Sequence, residues 1–301
     1  MLKQFLSTLS LLLFIPFLSY NISYGQKAIK SFAFDTSKTY RIQLFDETEF
    51  IAMYLTSDSI SIVIKTNSIP KIEIPINKIK SIELVESILI NNGIYWFSNP
   101  NPTRYLFAPS AFNLKKGEGY YQNTYIFLNS FSVGITDNFS FGGGIELYST
   151  FSGNEPIFFL TPKFGFKINE NLHIGGGLIF ASIPSFGSEY DDRTSVGLIY
   201  GISTFGGVDK NFSTGLGWGF INGDFSTNPF ITLSGLIRIS RKTAFVTENW
   251  IIPSDGYTGI FSYGIRFFGE KLSVDLAFLN NQAIARGLAI GIPYVDFVVK
   301  F

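Results

Sequence analysis

The feature that most constrains this fold is the strict alternation of short and long polar breaks between apolar, aromatic-rich segments. After residue 26 there is no apolar stretch long enough for a membrane-spanning helix, which needs about 20 residues. The short breaks lie at 136–138, 169–171, 209–211, 240–242 and 269–271. The long breaks centre on 113–119, 152–156, 187–193, 222–228, 253–257 and 280–286. Short turns at one end and long loops at the other are typical of outer-membrane β-barrels, whose short turns face the periplasm.

The segments between these breaks predict an all-β fold, a transmembrane antiparallel meander β-barrel of about twelve strands. The strands are expected near 104–112, 120–135, 139–151, 157–168, 172–183, 194–208, 212–221, 229–239, 243–252, 258–268, 271–279 and 287–301. Lipid offers no hydrogen-bond partner to a free sheet edge, so such strands must close into a barrel. An even strand number places both ends of the barrel domain, 104–301, on the periplasmic side.

The two faces of each predicted strand differ in chemistry. In 258–268, Phe261 and Tyr263 share one face, whereas Ser262 and Arg266 share the other. A soluble β-sandwich alternates in the same way, but its polar face would carry charge rather than Gly and Ser. Only 15% of residues are charged and 17% are aromatic, which favours an aromatic wall facing lipid and a polar lumen.

The N-terminal residues 1–25 are typical of a secretory signal peptide. Lys3 precedes a short apolar run broken by Pro16, and the small residues Ser23 and Gly25 precede a cleavage position before Gln26. A retained membrane anchor is the alternative, which the short run disfavours. The sequence therefore predicts an exported protein located in the outer membrane.

Residues 27–90 predict a small all-β module of the SH3-like or Sm-like kind, followed by a linker at 91–103. Short alternating strands are expected at 40–44, 50–55, 59–65, 71–76 and 81–84. Between them lie turn-forming clusters rich in Asp, Asn, Ser and Thr. Because this module precedes the barrel, we expect it to lie in the periplasm.

The C-terminal strand carries a pattern typical of the assembly signal of outer-membrane proteins. Apolar residues alternate along one face and the chain ends on an aromatic residue: Val295, Phe297, Val299 and Phe301. The alternative is an ordinary amphipathic last strand. The prediction is that the barrel-assembly machinery binds this strand during insertion.

One block has an unusual sequence. Residues 99–112 read Asn-Pro-Asn-Pro-Thr-Arg-Tyr-Leu-Phe-Ala-Pro-Ser-Ala-Phe, and 114–123 read Leu-Lys-Lys-Gly-Glu-Gly-Tyr-Tyr-Gln-Asn. It resembles a segment common in uncharacterised outer-membrane β-barrel proteins of Bacteroidota, which similarly carry an SH3-like module before the barrel. The resemblance covers most of the mature chain. It implies a location and a fold but no reaction.

Two interpretations of residues 99–123 remain open. The block is either the first strand with a tight hairpin, whose charges pair with one another, or a segment folded inward as a plug or ligand loop. The first interpretation is preferred.

Strand parity assigns a set of charged side chains to the lumen. They are Glu146, Lys163, Lys167, Arg238, Arg266, Asp275 and Asp296. Buried charges of mixed sign must pair or be wetted. A selective pore and a salt-bridged, sealed interior therefore remain equal alternatives.

Composition excludes several kinds of chemistry. The chain has no Cys, one His and 23 basic against 23 acidic residues, which argues against thiolate chemistry and nucleic-acid binding. His173 lies at the predicted periplasmic end, the wrong end for a barrel phospholipase. The acidic loop at 189–192 is interpreted as solvated rather than as a Ca²⁺ site. We expect no catalytic residues, metal or cofactor.

The predicted function is that of an outer-membrane β-barrel acting as a passive, porin-like channel for small solutes. The alternative is a non-conducting structural or envelope-organising barrel whose periplasmic module binds a partner. The expected partners are outer-membrane lipid, the assembly machinery and a periplasmic protein, with no nucleic acid.

Overall fold

A computed structural model describes residues 34–85, 90–91, 94–152, 154–184, 193–254 and 256–301. The chain divides into two compact units, Met1–Phe97 and Ser98–Phe301, and each is described by itself. The predicted signal peptide, 1–25, and the acidic loop at 189–192 lie outside the described residues. No helix in the described part of the chain is long and apolar enough to cross a membrane.

The first unit contains a five-stranded antiparallel sheet in the order β4-β3-β2-β1-β5. The strands are β1 Thr39–Leu44, β2 Glu49–Ser57, β3 Ser61–Lys65, β4 Ile72–Pro75 and β5 Ile79–Val85. A 3-10 turn, Ile76–Lys78, separates β4 from β5, and β5 then returns to pair with β1. All five predicted strands are confirmed.

The module folds as its alternating pattern predicts. One face of each strand is buried, and Ile42, Ile62 and Ile64 are at most 1% exposed in its core. The turn before β3 is made by Asp58, whose carboxylate accepts the backbone N–H groups of Ile60 and Ser61 at 2.7 Å. These hydrogen bonds lower the pKa of Asp58. A short hairpin of β6 Ile90–Asn91 and β7 Ile94–Tyr95 follows.

The second unit is a closed antiparallel barrel. Its strands are β8 Gly119–Thr124, β9 Leu128–Thr136, β10 Phe139–Glu146, β11 Ile157–Leu160, β12 Lys163–Asn169, β13 Leu172–Pro184, β14 Arg193–Gly207, β15 Lys210–Ile221, β16 Asp224–Phe225, β17 Phe230–Ser240, β18 Thr243–Ser254, β19 Gly256–Phe268, β20 Leu272–Asn280 and β21 Ile292–Lys300. Two short helices, α1 Tyr148–Phe151 and α2 Gln282–Gly287, lie in connections. The barrel closes where β21 pairs with β8, from Asp296↔Thr124 to Lys300↔Tyr120.

The strand count agrees with the prediction. Of the 14 strands, β16 pairs with β15 alone, and β11 and β12 share one position between β10 and β13. Twelve positions remain around the wall, in the order of a meander closed by one first-to-last pairing. The predicted all-β transmembrane barrel is thus confirmed as a fold.

The beginning of the predicted barrel is wrong in detail. Residues 104–112 do not form the first strand, and the predicted strand 120–135 is two strands, β8 and β9. The turn between them places Tyr125 and Ile126 at φ values of 53° and 71°, in the left-handed region. Such a turn usually contains Gly or Asn, and neither is present, so the sequence did not predict it. One strand was predicted that is absent and one strand was missed, which leaves the count at twelve.

The faces of the strands are those of a membrane barrel. In β19, Phe261 is 54% and Tyr263 47% exposed, whereas Ser262 and Arg266 are at most 1% exposed. The same alternation of exposed apolar and buried polar residues recurs around the wall. A continuous apolar exterior is what a barrel presents to lipid.

The two ends of the barrel differ. One end, called here the short-turn end, carries tight hairpins such as Thr136–Phe139 and Gly207–Lys210. The other, called the loop end, carries α1, α2 and β16. The predicted long break at 253–257 is instead a tight hairpin, with Pro253 opposite Tyr257. Both β8 and β21 have their free ends at the short-turn end, as the even strand number requires.

Candidate functional site

The lumen is occupied by residues 99–114, called here the plug. The plug is a hairpin in which Arg104 and Pro109 form an antiparallel bridge. The Tyr105 amide donates to the Ala108 carbonyl at 2.8 Å, which closes the hairpin tip. Most plug residues are buried, and they contact the inner faces of strands on all sides of the barrel. The inward-folded alternative for this block is therefore the one observed.

Both limbs of the plug are attached at the short-turn end. Asn99 Nδ2 donates to the carbonyl of Val208, in the turn between β14 and β15, at 2.9 Å. On the returning limb, Ser140 Oγ donates to Asn113 Oδ1 at 2.8 Å. The Lys116 amide beyond it donates to Asp137 Oδ1 at 2.9 Å. The plug therefore enters and leaves the lumen at the same end.

A single carboxylate holds the hairpin tip. Glu248 Oε2 accepts the backbone N–H groups of Leu106, Phe107 and Ala108, each at 2.8 Å. Its other oxygen, Oε1, accepts the indole N–H of Trp250 at 2.7 Å. Glu248 is 1% exposed. Four aimed donors satisfy a buried charge that would otherwise be costly.

Two buried arginine–aspartate pairs secure the middle of the plug. Arg266 bonds both oxygens of Asp275 at 2.6 and 2.8 Å, and it also donates to the carbonyls of Asn101 and Tyr105 at 2.7 and 2.5 Å. Arg104, which belongs to the plug, bonds Asp296 of the last strand at 2.6 Å. These bonds link the plug to β19, β20 and β21.

The opposite wall bonds the plug through a lysine and a threonine. Lys163 Nζ donates to three plug carbonyls, those of Thr103, Ser110 and Phe112, at 3.0, 3.2 and 2.6 Å. Thr204 Oγ1 accepts the Ala111 amide at 2.8 Å. Three carbonyls match the three donors of an ammonium group, so this lysine is satisfied without a carboxylate.

The buried charges at the plug balance. Arg104, Lys163 and Arg266 carry three positive charges, and three carboxylates face them: Glu248, Asp275 and Asp296. Three basic and three acidic groups give the lumen at the plug no net charge that would favour ions of one sign. At the short-turn rim, Lys300 Nζ donates to Glu118 at 3.0 Å. Partial burial acts to raise the pKa of Glu118, but the hydrogen bonds from Lys300 and the Lys115 backbone lower it overall.

The structure separates the seven residues that parity assigned to the lumen. Lys163, Arg266, Asp275 and Asp296 lie buried against the plug. Arg238 is buried at the short-turn rim, where it pairs with Asp209 at 3.1 Å. The two others lie beyond the plug.

Glu146 is at the loop end, where it accepts hydrogen bonds from the amides of Tyr148 and Ser149. Lys167 is exposed at the short-turn rim, where it pairs with Glu170 at 2.6 Å. Parity gives the face of a side chain but not its depth along the barrel axis, so it could not distinguish these two from the buried group.

Glu248 is the residue that the sequence reasoning missed. It lies in the predicted strand 243–252, on the same face as Ala244 and Val246, which are buried. Its parity was a usable signal, because an acidic residue at an inward position needs donors. Three of its four donors are backbone N–H groups of the plug, which no side-chain pattern predicts.

The proposed assembly-signal residues lie on the last strand. Val295 and Phe297 are 45% and 37% exposed on the outer face, and Phe301 is 60% exposed. Val299 lies on the same face and is half-buried. The backbone of Phe301 exchanges hydrogen bonds with Gly119 at 2.9 and 3.1 Å, which extends the closing seam. Binding to the assembly machinery stays a prediction.

A cavity of about 430 Å³ remains in the lumen beside and above the plug. Its floor includes Leu106 and Phe107 of the hairpin tip, and Phe107 is 41% exposed. The inner faces of β8 to β14 and Trp250 of β18 form its sides. The volume lies within the range of about 300–1,000 Å³ that is usual for small-molecule sites.

His173 takes part in packing. Its ring lies 4.7 Å from that of Phe112 in the plug. Among the described residues there is no group of three or more His, Cys, Asp or Glu side chains that could hold a metal ion.

Comparison with known proteins gives distant structural likeness. No family model and no curated protein matches the sequence. A NanC porin structure is similar with a TM-score of 0.38 and 9% identity, covering 61% of this chain and 96% of that one. A loop L8 deletion mutant of OmpT, an outer membrane protein of Vibrio cholerae, gives 0.33 and 10%, covering 88% and 96%. Outer-membrane expressed OmpT of Vibrio cholerae gives 0.31 and 12%, covering 87% and 93%. At these scores the fold assignment depends on the strand pairing and the apolar exterior.

Proposed function

We propose that this outer-membrane β-barrel is closed at rest by its plug and is not a constitutively open pore. The observation that carries the proposal is that one short segment bonds to buried groups on opposite walls: Lys163 on one side and Glu248 and Arg266 on the other. A loop resting in a wide pore would bond to one wall and leave a water-filled path. The non-conducting alternative therefore fits the geometry better than a passive channel.

The energetics support a plug that stays in place. Removing it would separate Arg104 from Asp296 and strip Arg266 of two carbonyl partners. Each of these bonds would be exchanged for bonds to water, and a hydrogen bond to a charged group contributes about 1.5–3 kcal/mol net. The three bonds that Glu248 accepts from the plug backbone add to this sum, because their acceptor is charged. Spontaneous release of the plug from the lumen should therefore be rare.

A solute-uptake assay tests this proposal. The full chain is inserted into liposomes, and swelling in a small neutral sugar is compared with protein-free liposomes. We expect no faster swelling. Folding of a matched variant, in which a Gly-Ser linker replaces 100–115, is checked first by its heat-dependent shift on a gel. Liposomes that contain this variant are expected to swell quickly. Fast swelling with the unmodified chain would overturn the closed-lumen proposal.

A gated channel is the second candidate function. Several buried polar atoms between plug and wall have no hydrogen-bond partner in the described protein, among them both amide atoms of Asn101 and the hydroxyls of Thr103, Ser262 and Ser273. These groups contribute no hydrogen bond between plug and wall, which lowers the cost of moving the plug. Cysteines replacing Ala111 and Thr204 would fix the plug to the wall by a disulfide. Oxidation would then abolish solute uptake if the protein is a gated channel, and would change nothing if the lumen is always closed.

The module is proposed to lie in the periplasm and to bind a protein partner there. The support is that both free ends of the barrel lie at the short-turn end, which is periplasmic in barrels of this class. Protease added to intact cells is expected to spare the module and to cleave it after the outer membrane is permeabilised. Cleavage in intact cells would contradict this placement.

A further inference from the structure

We propose that the lumen cavity above the plug binds a small, uncharged, hydroxyl-rich molecule of the carbohydrate class. This inference rests on the proposed closed lumen, because the plug tip forms the cavity floor. The cavity volume of about 430 Å³ suits a ligand of one or two sugar rings better than a long chain.

One side of the cavity is a shelf of free hydroxyl groups. Ser130, Ser132 and Thr161 line it, and within the described part of the chain their hydroxyls make no hydrogen bond. Gly142 lies between two of them. A Cβ at this position would lie 2.4 Å from Thr161 Oγ1 and 2.6 Å from Ser132 Oγ. The absent side chain therefore keeps two hydroxyl groups close together and accessible.

The other side of the cavity is aromatic and aliphatic. Trp250, Tyr200 and Ile179 line it. The indole of Trp250 is fixed by its hydrogen bond to Glu248 and by its ring contact with Phe230 at 5.4 Å. A ring that is fixed before binding loses little freedom when a ligand packs on it. A sugar offers the matching pair of surfaces, hydroxyl groups at its edge and C–H groups on its face.

The charged groups of the lining have partners within the protein. Lys163 is saturated by three carbonyls, Arg104 pairs with Asp296, and Glu146 accepts bonds from the start of α1. An ionic ligand would have to displace one of these partners. An uncharged ligand needs only the free hydroxyl groups, and this selects the neutral class.

The test is a titration of the refolded full chain with glucose, maltose and glucuronate, followed by tryptophan fluorescence and calorimetry. We expect saturable binding of glucose or maltose, and glucuronate binding at least tenfold weaker. Failure of both neutral sugars to saturate, or equal binding of glucuronate, would overturn the proposal. The swelling assay above reports separately on the closed lumen, so that either claim can fail alone.

Variants locate the site. Thr161→Val removes one shelf hydroxyl, and Gly142→Ala fills the space between the hydroxyls. Each is expected to weaken binding by about two- to tenfold, the effect of one lost polar contact. Thr214→Val makes the same chemical change in β15, next to the inward-facing Ser213, and is the matched control. Unchanged binding in both shelf variants would overturn the assignment.

Discussion

At the scale of single residues, the stability of the plug depends on buried charged groups that bond to it or belong to it. Glu248 illustrates this best, because its partners are three backbone amides and an indole rather than a cation. A carboxylate accepts all four bonds, whereas an amide has one accepting oxygen and two donor hydrogens. Charge and acceptor geometry are both needed at this position.

We therefore expect Glu248→Gln to destabilise the protein although it hardly changes side-chain volume. Its amide nitrogen would face donors, and the expected loss in free energy of unfolding is about 1–3 kcal/mol. Reversible urea unfolding in lipid vesicles measures this loss. Glu170→Gln, at an exposed pair with Lys167, is the control and should have an effect below about 1 kcal/mol. Equal effects would contradict the role given to Glu248.

The Arg266–Asp275 pair gives a second prediction at this scale. Both side chains are fully buried. Asp275→Leu alone leaves a buried guanidinium without its carboxylate and should cost about 3–5 kcal/mol. Arg266→Met with Asp275→Leu removes both charges and should cost less than Asp275→Leu alone. A double-mutant cycle in urea measures the coupling. Strictly additive effects would show that the pair does not act as a unit.

At the scale of elements, the sequence predicted the barrel strands well and the plug poorly. Strands such as 258–268 follow from local alternation, which parity reads directly. Residues 104–112 alternate as well, but their hydrogen-bond partners are Lys163, Glu248 and Arg266, far away in the chain. Whether an alternating segment joins a wall or fills a lumen is decided by those distant groups, and a local pattern contains no information on them.

The turn between β8 and β9, which the sequence did not predict, gives a further prediction. Ile126 has a φ of 71° and is 77% exposed, so its side chain gains little there and its backbone is strained. Ile126→Gly is expected to stabilise the barrel by about 1 kcal/mol. Ile135→Gly, inside β9, should instead destabilise it by at least about 0.5 kcal/mol. The urea midpoints of the two variants should therefore move in opposite directions. A loss of stability in Ile126→Gly would contradict the claim that the backbone at Ile126 is strained.

Gly165 in β12 leaves space for the backbone of the plug. A Cβ at Gly165 would lie 2.5 Å from the carbonyl oxygen of Ala111, which is plug backbone. Gly165→Ala should push the returning limb away from the wall at a cost of about 1–3 kcal/mol. Faster limited proteolysis within the plug should accompany it. Gly201→Ala, where a Cβ would meet nothing within 4 Å, is the control. Equal proteolysis of both variants would count against this contact.

At the scale of the whole molecule, the composition acquires a structural meaning. The aromatic side chains lie largely on the outer wall, while basic and acidic groups are equal in number around the plug. The zero net charge of the chain is matched by a lumen with three cations and three anions at the plug. This balance suits a closed, neutral interior better than an ion-selective pore.

The most direct test of the closed lumen is single-channel recording of the full-length protein in a planar lipid bilayer. We expect no sustained current from the unmodified chain at low voltage, and currents from the variant in which a linker replaces 100–115. A stable, ohmic open-channel current from the unmodified chain, in moderate salt and without denaturant, would contradict a closed lumen.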